Sequence, residues 1–349
     1  MSNNNISIQS AGNETQEQVS GISQSGKPVR IYLAPLQGIT DHVYRDAVSD
    51  LFPELTKTYT PFIQADTFAK LGPKSLQNKL ADKQKKIPVI PQLLSKDGER
   101  LAAITDLLNS MGYHEINLNL GCPFPTVTGK GRGSALLPYP AKIDAILKDY
   151  FSRQKSTLSV KIRLGYDNPD DWQQLIDVFN EYPLAEVIVH PRHARQMYSG
   201  EVYRDRYNSI VMKCRHKVVY NGDICSLADY EKLCDQIAGD SSIIMIGRGI
   251  ISAPFIIREI CEKKSLPLSE RLDTSYRLIC TLRKNFRELL SGDVHYLQKM
   301  KNIVRHAVEP FEPGKKEIKK IVKCNNSVLF DRLVDDYFIT RSSSARRLD

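Results

Sequence analysis

Apolar residues along this chain fall into short runs rich in β-branched and aromatic side chains, and the segments between those runs repeat their apolar positions every three or four residues. The runs occupy residues 30–36, 56–63, 87–94, 115–120, 158–164, 186–190, 217–220 and 242–246. Helical spacing marks 97–111, 141–154, 171–182 and 226–237, with Ser226 placed as an N-cap for the last. Near-continuous apolar strands separated by helices imply a parallel sheet buried on both faces. Eight such units over roughly 230 residues match the usual extent of a closed barrel, so the expected fold is α/β, a (β/α)8 TIM barrel, with an open doubly wound sheet as its competitor.

Beyond residue 269 the pattern is helical without strands, over 269–290, 294–307 and 328–340, and Pro310, Pro313 and Gly314 mark a turn between helices. This predicts a small all-helical C-terminal domain. At the other end, residues 1–27 are rich in Asn, Ser, Gln and Gly and hold too few apolar side chains to offset the entropy of ordering them. The expected division is a disordered polar tail (1–28), a catalytic barrel (29–262) and a helical domain (263–349).

Charge is unevenly spread and concentrates in the helical domain. The 349 residues carry 49 Lys and Arg against 40 Asp and Glu, a net charge of +9. Residues 262–349 hold 19 basic and 12 acidic residues, which is +7 of that total and suggests an RNA or DNA contact surface in this domain, although the charge alone equally reads as the solvated face of a helical domain. The seven cysteines are scattered and never in a CxxC or Cys/His ligand spacing, which argues against a disulfide framework and against a metal site. No apolar run approaches the ~18 residues of a membrane span, and the N-terminus lacks the basic and apolar regions of a signal peptide. A cytoplasmic protein without a membrane partner is expected.

In a barrel the chemistry sits at the C-terminal ends of the strands. Here those ends read Ala34-Pro35-Leu36-Gln37-Gly38, Gln92, Asn119-Leu120-Gly121-Cys122-Pro123, Lys161 and Arg163, His190-Pro191-Arg192, Asn221-Gly222-Asp223, and Gly247-Arg248-Gly249. Glycine loops after the last two strands are where barrels often hold a phosphate, through backbone N–H groups and a helix N-terminus. Lys161 alternates with Val160 and Ile162, which points its ammonium into the barrel mouth. A cation there needs an anion: it can neutralise charge at the N1 and C2 carbonyl of a reduced flavin, or form a Schiff base. Cys122 follows a strand directly and precedes a glycine-rich loop, and a thiol with an ordinary pKa near ~8.5 is mostly protonated at neutral pH, able to donate a proton.

At these residues the chain resembles the tRNA-dihydrouridine synthase family. LNLGCPFPTVTGKGRGSALL, at 118–137, is similar to the family's catalytic loop, and LAPLQGITD, VIPQLL, VKIRLGY, VIVHPR, YNGDI and MIGRG are each similar to a family strand end, in order from Ile31 to about Gly314. Two departures are Pro191, where many relatives have glycine, and the GKGRGSA loop after the catalytic cysteine. The resemblance implies an FMN-containing barrel with NADPH as external reductant and a helical RNA-binding domain. It implies that FMN is bound by Gln92, Lys161, His190, Asn221, Gly222, Asp223, Gly247 and Arg248, with backbone at Pro35 and Leu36. Asn119, Arg163 and Tyr198 would hold the uracil, and Cys122 would protonate C5 as hydride passes from flavin N5 to C6.

The RNA partner expected is tRNA, or else ribosomal RNA, bound by a monomer. Lys299, Lys301 and Arg305 are the candidate phosphate contacts on one helix, and Lys315, Lys316, Lys319 and Lys320 form a second basic cluster that equally reads as a solvated face. The alternative function is a small-molecule FMN oxidoreductase of the dihydroorotate or dihydropyrimidine dehydrogenase type, for which a basic helical domain would have no use. A catalytically idle barrel that only binds RNA is a third reading.

Overall fold

The computed structural model describes residues 28–65, 76, 80, 87–238 and 240–349, so the tail expected over 1–28 lies outside the described residues apart from Pro28. Ten parallel strands form one sheet: β1 (Arg30–Leu33), β2 (Leu55–Tyr59), β3 (Ile63–Gln64), β4 (Val89–Ile90), β5 (Gln92–Leu94), β6 (Glu115–Leu120), β7 (Thr157–Arg163), β8 (Glu186–His190), β9 (Lys217–Tyr220) and β10 (Ile243–Ile246). Their order is β3-β5-β6-β7-β8-β9-β10-β1-β2-β4. The two ends of that order are halves of interrupted strands, since β3 continues β2 beyond Pro61 and β4 runs into β5 through Pro91. Segment 55–64 therefore lies along segment 89–94 over both halves, with Tyr59 opposite Ile90 and Ile63 opposite Leu93. Between the halves, Thr60 N–H donates to Ile90 O (3.0 Å) and Gln92 N–H to Thr60 Oγ1 (3.0 Å), carrying the pairing past two prolines that have no N–H. The sheet thus closes into a ring of eight staves, and all eight expected strands are present.

Alternation along each strand sorts side chains into two layers. Tyr32, Tyr59, Ile90, Ile188, Val219 and Met245 fill the interior, while Leu118, Val160, Ile162, Val187 and Val189 join the core beneath the helices. The N-terminal end of the barrel is sealed by Glu186, which is buried, accepts from Tyr32 Oη (2.9 Å) and pairs with Lys217 and Lys57. Ligands have to approach from the opposite end.

The surrounding helices are α1 (His42–Leu51), α2 (Gly98–Ser110), α3 (Pro125–Thr128), α4 (Pro140–Arg153), α5 (Trp172–Asn180), α6 (Arg204–Lys213), α7 (Leu227–Gln236), α8 (Arg248–Ser252) and α9 (Ile256–Glu262). Asp41, Asp97 and Ser226 cap α1, α2 and α7 by accepting from backbone N–H groups three residues on. The C-terminal helices are α10 (Leu268–Leu289), α11 (Asp293–Ala307), α12 (Lys315–Lys323) and α13 (Ser327–Ala345). The basic cluster of Lys315, Lys316, Lys319 and Lys320 lies on α12, which folds as a helix because Ile321 packs on the core beneath it. α10 packs on α1 and α13, and α11 packs on α8, so one continuous apolar core runs from the barrel into these helices. No described helix is long and apolar enough to cross a membrane.

Candidate active site

The strand ends and following loops enclose a cavity of about 310 Å³ at the open end of the barrel. All fourteen residues named for cofactor, uracil and proton transfer line it: Pro35, Leu36, Gln92, Asn119, Cys122, Lys161, Arg163, His190, Tyr198, Asn221, Gly222, Asp223, Gly247 and Arg248. Phe62, Phe124, Cys225 and His306 also line it and were not foreseen. His306 comes from α11, so the helical segment completes the cavity wall, and its Nδ1 lies 3.3 Å from Glu309 Oε1.

Lys161 rises from β7 with no carboxylate partner among the described residues. Burial, reinforced by the Arg163 guanidinium, pulls its ammonium down to about 7 from an ordinary 10.5. His190 is held well below the usual imidazole range, first by burial and then by Arg163, Lys161, Arg192 and Arg248, so the ring is neutral. Arg192 Nη1 lies 3.2 Å from His190 Nε2, and because a guanidinium only donates, the ring proton resides on Nδ1. Arg192, buried and unassigned in the sequence reading, also grips Asp223 with both terminal nitrogens, and Arg248 Nη2 reaches the same carboxylate at 3.2 Å. This holds Asp223, which sits at φ 41°, and keeps its carboxyl below the usual range although burial acts the other way.

The loops after β9 and β10 touch so closely that a Cβ at Gly249 would lie 2.0 Å from Ile224 O, which only glycine avoids. Asn221 is committed to this junction, with Nδ2 donating to Met245 O (2.8 Å). Tyr198 stacks on His190 (centroids 6.2 Å apart) with Arg248 Cζ 4.5 Å from its ring centre and Arg163 Cζ at 5.5 Å.

Cys122 is half-buried at the rim. Burial raises its pKa above the ordinary thiol value despite the N–H of Phe124 and the Arg163 and Lys161 charges, so it stays a thiol at neutral pH. Its turn is tightly held: Gly121 N–H (3.1 Å) and Cys122 N–H (2.9 Å) donate to Asn119 Oδ1, and Ser134 N–H and Oγ donate to Cys122 O at 3.1 and 2.9 Å. Gly133 lies at φ 59°, where a Cβ would come within 2.8 Å of Cys122 O.

Two residues expected to hold uracil are thus engaged with the protein itself. Asn119 uses its carbonyl on the Cys122 turn and one N–H on Gln92 Oε1 (2.8 Å). Arg163 donates to Gly121 O (3.1 Å), His193 O (3.1 Å) and Met197 O (2.6 Å), tying the cysteine turn to the Tyr198 loop.

Away from the cavity, the first basic set separates. Lys299 Nζ pairs with Asp41 Oδ2 (2.7 Å) and donates to Gly38 O (3.0 Å), a strut between α11 and the loop after β1. Lys301 donates to Asn325 Oδ1 (3.1 Å), and Arg305 is exposed. Lys315, Lys316, Lys319, Lys320 and Lys323 are all exposed on α12.

Residues 32–330 match the family model described as dihydrouridine synthase. The chain is 29% identical over 249 residues to a probable tRNA-dihydrouridine synthase 2 of Bacillus subtilis, an alignment covering 69% of this chain and 74% of that one. It is 28% identical over 235 residues to a tRNA-dihydrouridine(16) synthase of Vibrio vulnificus (65% and 73% covered) and 27% identical over 259 residues to a tRNA-dihydrouridine synthase B of Pasteurella multocida (72% and 75%). With a closed parallel barrel whose open end carries the matched residues, the chain belongs to the dihydrouridine synthase family.

Proposed function

We propose that this protein reduces the C5=C6 bond of a tRNA uridine to 5,6-dihydrouridine, with FMN in the barrel mouth, NADPH as external reductant and Cys122 as proton donor. The observation that carries this reading is Cys122, a thiol that burial keeps protonated, on the rim of the same cavity as the unpaired Lys161 ammonium.

The residues fit FMN. An unpaired cation on a barrel strand suits the electron-rich N1 and C2 edge of a flavin, and Gln92 supplies an amide for its pyrimidine edge. Gly222, Gly247 and Arg248, in the loops after the last two strands, suit its phosphate, beside the neutral His190. Bound there, the flavin supplies a hydride to uracil C6. The double bond is conjugated to the C4 carbonyl, so addition at C6 leaves an enolate that must be protonated at C5, which a neutral thiol does. Arg163 and Asn119 fix the cysteine turn for that transfer, and Tyr198 offers an aromatic face to the base.

A base reaches this cavity only by leaving its stack, and cationic side chains on the helical segment would hold the surrounding phosphates. With Lys299 paired to Asp41, the exposed lysines of α12 together with Arg305 are the contacts we assign to the RNA.

The test is spectroscopic. Purified protein should show flavin absorption, be bleached anaerobically by NADPH and regain colour when unmodified tRNA is added, with dihydrouridine in the product. Reoxidation by free pyrimidines instead of tRNA would establish the small-molecule alternative, and protein that takes up no FMN would overturn the proposal.

A further inference from the structure

Gln92 and Asn119 face the cavity, but what determines how they face it lies deeper. Gln92 Nε2 donates to Asn117 Oδ1 (2.8 Å), Asn117 Nδ2 donates to Ser159 Oγ (2.9 Å), and Ser159 Oγ donates to Ile116 O (3.3 Å). Together with the Asn119 contacts these bonds form one chain: the Cys122 N–H, Asn119, Gln92, Asn117, Ser159 and the Ile116 carbonyl. Gln92, Asn117 and Ser159 are at most 1% exposed and Asn119 is 7% exposed, so water offers them little alternative. Neither Asn117 nor Ser159 lines the cavity.

The direction of this chain is fixed at both ends. Two backbone N–H groups meet Asn119, so only its oxygen can face them; at the far end a carbonyl meets Ser159, so only the hydroxyl hydrogen can face it. Every amide between is forced into one of its two orientations. A reversed Gln92 would set two N–H groups together on one side and two oxygens together on the other, inside a low-dielectric barrel. The second N–H of Gln92 and that of Asn119 are the donors left over for a ligand.

We propose that Asn117 and Ser159 are positioning residues which, without touching any ligand, fix the amide orientation of Gln92 and Asn119, so that the cavity presents N–H donors to an acceptor edge of the bound heterocycle and couples that contact to the turn carrying Cys122. Asn117 is the decisive member because it supplies the acceptor that holds the Gln92 amide. The readout in flavin binding rests on the FMN reading above; the readout at Cys122 does not.

Three variants test it: Asn117→Leu removes the acceptor, Ser159→Ala removes the partner of Asn117, and Ser159→Thr keeps it. FMN and riboflavin affinities of the flavin-free protein are measured by flavin fluorescence, and alkylation of Cys122 is followed against pH by peptide mass spectrometry. Freeing one buried amide is expected to weaken both flavins alike, on the order of 5- to 150-fold, for Asn117→Leu, with a smaller shift for Ser159→Ala. Both should alter the pH profile at Cys122, and Ser159→Thr should return both readouts towards the parent. If Asn117→Leu or Ser159→Ala lowers the melting temperature while flavin affinity and the Cys122 profile stay unchanged, the residues are only structural and the proposal is overturned. If the parent protein binds neither flavin, the FMN reading fails, and the Cys122 profile alone decides the chain.

Discussion

Lys161→Met should make the flavin-free protein more stable at neutral pH, although it removes a residue assigned to the cofactor. The folded cavity pulls the ammonium down to about 7 from 10.5, and at about 1.36 kcal/mol per unit this is a cost of about 5 kcal/mol for holding the charge without a partner. The unfolded chain keeps its proton to about pH 10.5 and the folded chain only to about pH 7, so between those values unfolding takes up a proton and stability rises with pH. The cost is full below pH 7 and absent above 10.5. Methionine has nearly the same length and no charge. The variant should therefore melt higher than the parent by on the order of 10 °C near pH 6.5, the gap shrinking to about a third near pH 9.5. Thermal unfolding of both flavin-free proteins across that range gives the comparison. A gap that does not change with pH, or a variant less stable at low pH, would refute the idea that Lys161 is an unpaired, half-buried cation. FMN added to the parent should narrow the gap by giving the charge its partner.

Cys122→Ala should leave the protein yellow yet slow dihydrouridine formation by ~10² to 10⁴, and unchanged turnover would remove the thiol from its role. Because burial raises the thiol pKa, the parent rate should hold through neutral pH and fall only on the alkaline side, and the alanine variant should lack that limb. Replacing Lys315, Lys316, Lys319 and Lys320 with glutamine should reduce the salt slope of tRNA binding by about 3, measured by filter binding at several salt concentrations, whereas Lys299→Met should leave the slope intact and lower the melting temperature. An equal effect of the two would return Lys299 to the RNA surface. Gly133→Ala has to hold φ 59° and moves the Cys122 carbonyl from 2.8 Å contact, so it should cost about 1–2 kcal/mol and reduce turnover; a variant as active and stable as the parent would show that the loop is slack.

Much of the barrel was legible because its strands are buried on both faces: 115–120, 186–190 and 217–220 have the bounds that their apolar runs suggested. The breaks at Pro61 and Pro91 were not, since whether a proline ends a strand or interrupts it depends on a neighbour such as Thr60 that bridges the gap. Strand-end chemistry was legible as a set, because period-two alternation and barrel geometry bring such positions to one mouth; thirteen of the fourteen residues meet there on that ground, and Tyr198, in the loop after β8, was implied only by the family resemblance. Individual hydrogen bonds were not. Nothing in the sequence says that Arg163 serves three carbonyls or that Arg192 grips Asp223, because those partners are 30 or more residues away. The helical segment was least legible: a lysine on a helix reads the same whether it faces water, like Lys315, or an aspartate of another element, as Lys299 does. His306 carried no signal, since its approach to the cavity follows from how α11 packs on α8.

The Lys299 strut and the shared apolar core join α11 to the loop after β1. Under the proposed function, the α12 lysines and the Cys122 thiol would act as the two jaws of a caliper, one on the RNA backbone and the other on the extruded base. Such an instrument would select its uridine by the span of the folded RNA between jaw contacts rather than by the identity of neighbouring bases. A tRNA whose fold is kept while the nucleotides flanking the target are exchanged should remain a substrate, and a one-nucleotide insertion between the two contacts should shift the modified position instead of abolishing it.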